Sequence, residues 1–301
     1  MSRVFDALEK AEREKNQGVS PDSAFIILKG KEDTGKEGSE LVYREESDRK
    51  VELQPGEKGP VLIPPDNSFS GEEFRKLKTQ VFFRFPKPPR SILVTSALPQ
   101  EGKTTVALNL AITISKEIQK KALLIDGDLR KPNLFLDQHP NSKGLTDYLS
   151  DRTPLSDIFF DSKSNGLKVI LAGSSTQKPV ELIGSNKMKE LLNSLYEMAN
   201  DTYFIIDSPP VLSASEAALF SKIVDGVILV VMAGRTPKVS IQRALKSIDR
   251  KKIIGVVLNL KGLKTPQFPS EYGRYYRHYE NHEHNGKSVL SKLVKKFTFN
   301  P

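Results

Sequence analysis

From residue 69 to 262 the chain alternates short apolar runs with stretches whose apolar residues recur every three or four positions. This is the pattern of buried strands alternating with amphipathic helices. Ile92, Leu93 and Val94 form the first strand run, and Ala107, Leu110, Ala111, Ile114 and Ile118 follow at helical spacing. The strand pattern returns at Ala122 to Ile125, Leu167 to Leu171, Tyr203 to Ile206, Val227 to Met232 and Ile253 to Leu258. Helices are predicted around Lys187 to Ala199 and over Lys238 to Asp249. Such alternation implies an α/β fold in three layers, with a mostly parallel sheet covered on both faces. One more helix precedes the first strand. Ser70 and Glu73 stand at capping-box spacing, Phe74, Leu77, Val81, Phe82 and Phe85 mark its apolar stripe, and Pro86, Pro88 and Pro89 end it.

The flanks read differently. Residues 1–15 can form one short amphipathic helix, with Val4, Phe5, Leu8 and Ala11 on one side, and a helix this short needs something to dock on. Residues 16–68 are rich in Gly, Glu, Lys, Ser and Asp and read as a disordered linker. Residues 263–301 form a polar tail. It closes in KSVLSKLVKKFTF, where Leu290, Leu293, Val294 and Phe297 oppose Lys292, Lys295 and Lys296. That segment is either a disordered end or a basic amphipathic stretch suited to an anionic membrane.

Composition narrows the class. A 301-residue chain that is 38% hydrophobic buries one sizeable core and leaves some of its length unfolded. There is no apolar run of bilayer-spanning length and no signal-peptide pattern, so the expected location is the cytoplasm. Without cysteine there are neither disulfides nor thiolate metal sites, and three of only four histidines lie near the C-terminus. The net charge of +9 favours anionic partners, but does not choose among nucleic acid, phospholipid and nucleotide.

Candidate chemistry sits at the strand ends. Between the first strand and its helix lies ALPQEGKT. A loop that ends in Gly102, Lys103 and Thr104 at a helix start turns backbone N–H groups and the helix dipole toward a polyphosphate. Lys103 adds a point charge, and Thr104 offers a hydroxyl to Mg²⁺. Glu101, Gly102, Lys103, Thr104 and Thr105 are therefore the candidate nucleotide contacts. Asp126 and Asp128 emerge from the second strand and Asp207 from the fourth, at the carboxyl edge where open α/β sheets bind ligands. A phosphate cradle, carboxylates for Mg²⁺ and a base for the attacking oxygen are what phosphoryl transfer asks for. Asp207 is the candidate metal holder, and either Asp126 or Asp128 the base.

Three strings, ALPQEGKT, LLIDGDLRKP and FIIDSPP, resemble the nucleotide motifs of the bacterial tyrosine kinases, which share the phosphate-loop fold of the MinD and plasmid-partition ATPases. The likeness runs from about Ser70 to Leu260 and includes DGVILVV and IGVVLN. It implies that Lys103 and Thr104 bind ATP and Mg²⁺, that Asp126 accepts the tyrosine proton, and that Asp128 and Asp207 serve the metal. Asn259, at the end of IGVVLN, joins the implied nucleotide contacts. Partition-type ATPases carry a second lysine near the loop's start; Leu98 stands there. Other departures from the kinase pattern are Gln100 where glycine is usual, which predicts a less compliant loop, and Glu216 where aspartate is common.

The resemblance extends to regulation. The tail reads SEYGRYYRHYE, and such kinases phosphorylate one another on tail clusters like Tyr272, Tyr275, Tyr276 and Tyr279. With Arg274, Arg277 and His278 the same cluster could instead stack on nucleic-acid bases, although no specific nucleic-acid partner is implied. Glu72, Arg75 and Lys78 resemble the E-x-x-R-x-x-R motif of ring assembly, with lysine replacing the last arginine's fork. The family also implies capsular or exopolysaccharide synthesis and export as the setting. An activating membrane protein of the polysaccharide co-polymerase type would recruit the kinase to the inner face of the membrane, and a protein tyrosine phosphatase would reverse it. A partition-type ATPase and a nucleotide-binding assembly subunit without activity are the alternatives.

Overall fold

The structure, a computed structural model, describes residues 25–28, 50–51, 69–132, 142–162, 166–198 and 200–259. The predicted helix over residues 1–15, the tyrosine cluster and the basic C-terminal segment lie outside the described residues.

In chain order the strands are β1 (Phe25–Leu28), β2 (Lys50–Val51), β3 (Ser91–Ser96), β4 (Lys121–Asp126), β5 (Phe159–Ser162), β6 (Leu167–Ile170), β7 (Thr202–Asp207), β8 (Gly226–Met232) and β9 (Ile253–Asn259). They form one sheet in the order β1-β9-β8-β3-β7-β4-β6-β5-β2. Every neighbouring pair is parallel except β5 with β6. The helices are α1 (Phe69–Phe83), α2 (Lys103–Ser115), α3 (Leu145–Leu149), α4 (Pro179–Ile183), α5 (Asn186–Met198), α6 (Glu216–Ile223) and α7 (Lys238–Ser247).

Two segments of the stretch read as linker are strands. The apolar FIIL of β1 pairs with β9, and β2 pairs with β5, so the N-terminal region supplies both edges of the sheet. Edge strands leave backbone donors and acceptors open, and adding a strand satisfies them whatever the composition of the flanking residues. Linker composition therefore hid six residues of sheet.

Alternation along the strands sorts the core into two layers. Ile92, Val94, Leu124, Ile205 and Ile228 face α1 and α2, meeting Phe74, Leu77, Val81, Val106, Leu110 and Ile114. Leu93, Ile125, Phe204, Ile206 and Leu229 face the other way, onto Met188, Leu191, Phe220, Ile241 and Ala244. Strands covered on both faces read as continuous apolar runs, which is why β3 is buried at every position. Helix α2 is buried over most of its circumference, because it lies beneath the sheet and is itself covered by α1. Ile118, counted in its apolar stripe, falls beyond the helix end and is exposed. Among the described residues no helix is long and apolar enough to cross a membrane.

Both strands that carry the candidate aspartates run parallel to β3, so the phosphate-loop segment and the carboxylates open on the same edge. At the opposite edge Asp225 accepts hydrogen bonds from the Arg90 and Ser91 N–H groups (2.9 and 3.0 Å) and from the Tyr196 hydroxyl (2.7 Å). The two ends of the sheet thus have different tasks. One is tied by a polar clamp, and the other gathers charge.

Candidate phosphate-binding site

Residues 97–102 connect β3 to α2 through two left-handed positions, Gln100 at φ 64° and Gly102 at φ 92°. Gln100 thus adopts a conformation natural to the glycine it replaces, at a cost of about 1–2 kcal/mol. Gly102 is held to glycine by space as well as by torsion, since a β-carbon there would lie 2.2 Å from Asn259 Nδ2. Side chains from within the loop and from the β8 and β9 side brace it. Glu101 accepts the Leu98 N–H at 2.8 Å and the Thr236 hydroxyl, while Thr236 accepts the Met232 N–H at 2.9 Å. The Asn259 amide donates to the Glu101 carbonyl at 3.0 Å. The side chains of Glu101 and Asn259, both grouped with the nucleotide contacts by sequence, are therefore engaged in holding the loop's shape. Thr236 was not foreseen, because a lone threonine in a loop carries no motif.

Helix α2 starts without a side-chain cap. Its first turn leaves backbone N–H groups without intrahelical partners, and the positive end of the helix dipole lies beside Lys103, Thr104 and Thr105. Both features favour an anion. Lys103 is nearly buried, and its Nζ lies 3.7 Å from Asp128 Oδ2, 3.8 Å from Asp207 Oδ1 and 3.2 Å from Thr104 Oγ1. Asp126 is paired in register with Asp207 on the adjacent strand, and its Oδ1 accepts the Asp128 N–H at 3.1 Å. Asp128 Oδ1 accepts the Lys131 N–H at 3.1 Å, which closes a turn after β4. Gly127 lets the two strand ends approach, since a β-carbon there would sit 2.8 Å from the Asp207 carbonyl oxygen and 2.9 Å from the Phe220 ring.

Burial pushes the Asp207 carboxyl above the usual carboxylate range; Lys103 and the Thr104 hydroxyl pull it back, and Asp128 adds to the rise. Its Oδ1 is buried without a hydrogen-bond partner. A buried orphan oxygen beside a hydroxyl and a second carboxylate fits a divalent cation. Among the described residues no three His, Cys, Asp or Glu side chains gather into a metal cage. Mg²⁺ takes one or two carboxylates and completes its shell with phosphate and water.

One ion pair was not foreseen at all. Arg130, just beyond Asp128, donates through Nε to Oε1 of Glu216, a completely buried carboxylate at the start of α6. Glu216 registered in the sequence only as a departure from aspartate.

A glycine-shaped loop between a buried parallel strand and an uncapped helix, facing a lysine and acidic strand ends, defines the phosphate-loop nucleotide-binding proteins. A family model described as an AAA domain matches residues 99–252. The tyrosine-protein kinase YwqD of Bacillus subtilis is 33% identical over 225 residues, covering 71% of this chain and 90% of that protein. The crystal structure of the chimerical protein CapA2B2 aligns with a TM-score of 0.60 at 33% identity, over 64% of this chain and 85% of that one. The kinase domain of the Escherichia coli tyrosine kinase ETK aligns with a TM-score of 0.58 at 29% identity, over 71% and 86%. The chain belongs to the bacterial tyrosine-protein kinases.

Glu72, Arg75 and Lys78, the residues that resemble a ring motif, lie along α1. Arg75 Nε donates to Glu72 Oε2 at 2.8 Å, and Lys78 pairs with Glu117, just past the end of α2. Leu98, at the place of the partition-type lysine, is partly buried against the core.

Proposed function

We propose that this kinase transfers the γ-phosphoryl group of ATP, with Mg²⁺, to Tyr272, Tyr275, Tyr276 and Tyr279 in the tail of a second copy. What carries the reading is Lys103 held between Asp128 and Asp207 at the open start of α2. Backbone N–H groups of residues 101–105 cradle the phosphates. Lys103 leaves its carboxylate partners for the phosphoryl oxygens. Thr104, Asp128 and Asp207 would hold Mg²⁺, which would supply positive charge to a transition state with its negative charge spread over the phosphoryl oxygens. Asp126 takes the proton of the attacking tyrosine hydroxyl; the new O–P bond forms as the bond to the β-phosphate oxygen breaks, and ADP departs. Phosphoryl transfer of this kind is mostly positioning and electrostatics, so a preassembled set of charges is the main requirement.

Each tail phosphate adds about −1.5 to −2 charge, so four add roughly −6 to −8. That is comparable with the chain's +9, enough to change how the tail is held by a neighbour. Ring assembly through Glu72, Arg75 and Lys78 would exchange their present pairings within the chain for pairings between copies. By resemblance, the setting is capsular or exopolysaccharide synthesis, with a membrane co-polymerase as activator and a tyrosine phosphatase as the reset.

Incubating the full chain with ATP and Mg²⁺, with and without a co-polymerase cytoplasmic fragment, and mapping phosphosites by mass spectrometry tests this reading. Phosphate should appear on Tyr272 to Tyr279, and vanish in Lys103→Met and in the variant with all four tyrosines changed to Phe. ADP accumulating without phosphoprotein, with the fragment present, would refute the autokinase reading and favour a partition-type ATPase.

A further inference from the structure

Beyond Asp126, Asp128 and Asp207, one more acidic group is built into the candidate site. The Glu216 side chain is 0% exposed, with Oε1 on Arg130 and Oε2 lacking a partner. A buried carboxylate is costly unless its counter-charge is held close, and here that charge is a guanidinium half open to solvent. The two residues are 86 positions apart. Phe220, one turn further along α6, is the ring that a β-carbon at Gly127 would strike. Helix α6 therefore touches the segment after β4 twice, beneath Gly127 and at Arg130.

Between those contacts lies Asp128. Its Oδ1 is fixed by the Lys131 N–H across the turn that contains Arg130, and its Oδ2 is 3.7 Å from Lys103 Nζ. Anchoring Arg130 fixes the turn, the turn fixes the Asp128 carboxylate, and that carboxylate faces the phosphate-loop lysine. Helix α6 also follows the Asp207 loop in the chain, so one helix registers both candidate metal-holding aspartates against each other.

We propose that the Arg130–Glu216 pair is a positioning pair for Asp128, setting the strength with which the nucleotide-loaded site takes Mg²⁺ and leaving the phosphate cradle itself unchanged. This rests on the assignment of Asp128 to the metal. Neither residue touches nucleotide or substrate. Their effect is transmitted through the turn of residues 128–131.

The test is binding of a fluorescent ADP analogue to the full chain, titrated with and without Mg²⁺. The variants are Glu216→Gln, Glu216→Asp and the double variant Arg130→Ala with Glu216→Gln, which removes both charges and leaves no buried charge unpaired. Thermal melting establishes that each is folded. In wild type, Mg²⁺ should strengthen ADP binding. In Glu216→Gln and the double variant, Mg²⁺-free affinity should stay within about twofold of wild type, while the Mg²⁺-dependent strengthening falls by about tenfold, a difference of about 1.4 kcal/mol. Glu216→Asp should restore most of it. Folded variants that keep the full strengthening overturn the inference alone. Wild type that binds ADP identically with and without Mg²⁺ overturns the metal assignment, and the inference with it.

Discussion

Replacing Gly102 by alanine challenges the phosphate loop at its tightest point. The backbone sits at φ 92°, where an L residue is strained by about 1–2 kcal/mol. The new β-carbon would lie 2.2 Å from Asn259 Nδ2, far inside contact distance, so the amide must move and its 3.0 Å bond to the Glu101 carbonyl is lost. A hydrogen bond of this kind is worth about 1 kcal/mol net. Gly102→Ala should therefore cost about 2–3 kcal/mol of stability, the sum of torsional strain and one lost bond. Asn259→Ala alone should cost about 1 kcal/mol. Because the clash disappears once Asn259 is truncated, the double variant should retain only the strain and one lost bond. It should cost about 1 kcal/mol less than the sum of the singles, a coupling within the range seen for contacting residues. Urea denaturation of the nucleotide-free chain gives all four stabilities, and ADP affinity follows the loop's shape in parallel. Strictly additive costs would show that Asn259 does not buttress Gly102, and the account of the loop as braced from β9 would fail.

Two aspartates at opposite ends of the sheet should respond to pH with opposite signs. Burial raises the Asp207 carboxyl, so its stabilising contribution is complete below the unfolded value near 3.8 and is lost as pH rises through the folded value. Asp207→Asn, which stays uncharged, should thus be more stable than wild type at pH 7, with the gap closing toward pH 3.8; equal stabilities across that range refute the direction. At Asp225 burial also raises the carboxyl, but hydrogen bonds from Tyr196, Ser91 and Arg90 outweigh it, and the net shift is downward. Its contribution is present above pH 3.8 and lost as pH falls through the lower folded value. Asp225→Asn should cost about 1 kcal/mol at pH 7, since the carboxylate is partly screened, and nothing in strong acid. A loss that persists in acid would mean the clamp works through shape instead of charge.

The fold was legible because its central strands are buried on both faces and its outer helices on one. Ile92 to Val94, Ala122 to Ile125 and Tyr203 to Ile206 announce themselves as apolar runs, and Asp126 and Asp207 mark where each run ends. What escaped had weaker local signals. Strand β5 runs antiparallel to β6 near the sheet edge, where it is only partly buried, so no continuous apolar run betrays it. Strands β1 and β2 are short additions to existing edges, set in stretches of linker-like composition. In the site, Lys103, Thr104 and the three aspartates, which the structure brings to one sheet edge, could be picked out together because phosphate chemistry restricts residue type and spacing. The bracing roles of Thr236, Asn259 and Glu216 were not readable, since they act on the shape of that machinery from 135, 158 and 86 residues away from their partners. Asn259 was named for the motif it ends, and its structural partner turned out to be the loop's own backbone.

The distribution of these supports bears on how the site changes charge state. The phosphate loop is braced from the β8 and β9 side by neutral groups, Thr236 and Asn259, acting on Glu101. On the β4 and β7 side its lysine faces charge, Lys103 with Asp128 and Asp207. Those bracing bonds come from neutral donors that a polyphosphate does not attract, whereas the lysine's two carboxylate pairings are at 3.7–3.8 Å, longer than charge-assisted hydrogen bonds of about 2.7–2.9 Å. The loop can therefore hold its shape while Lys103 changes partner. The carboxylates it leaves need a new cation, since Asp207 is buried and its Oδ1 has no hydrogen-bond donor. Nucleotide binding and divalent-cation binding should on these grounds be coupled, each favouring the other by the same factor.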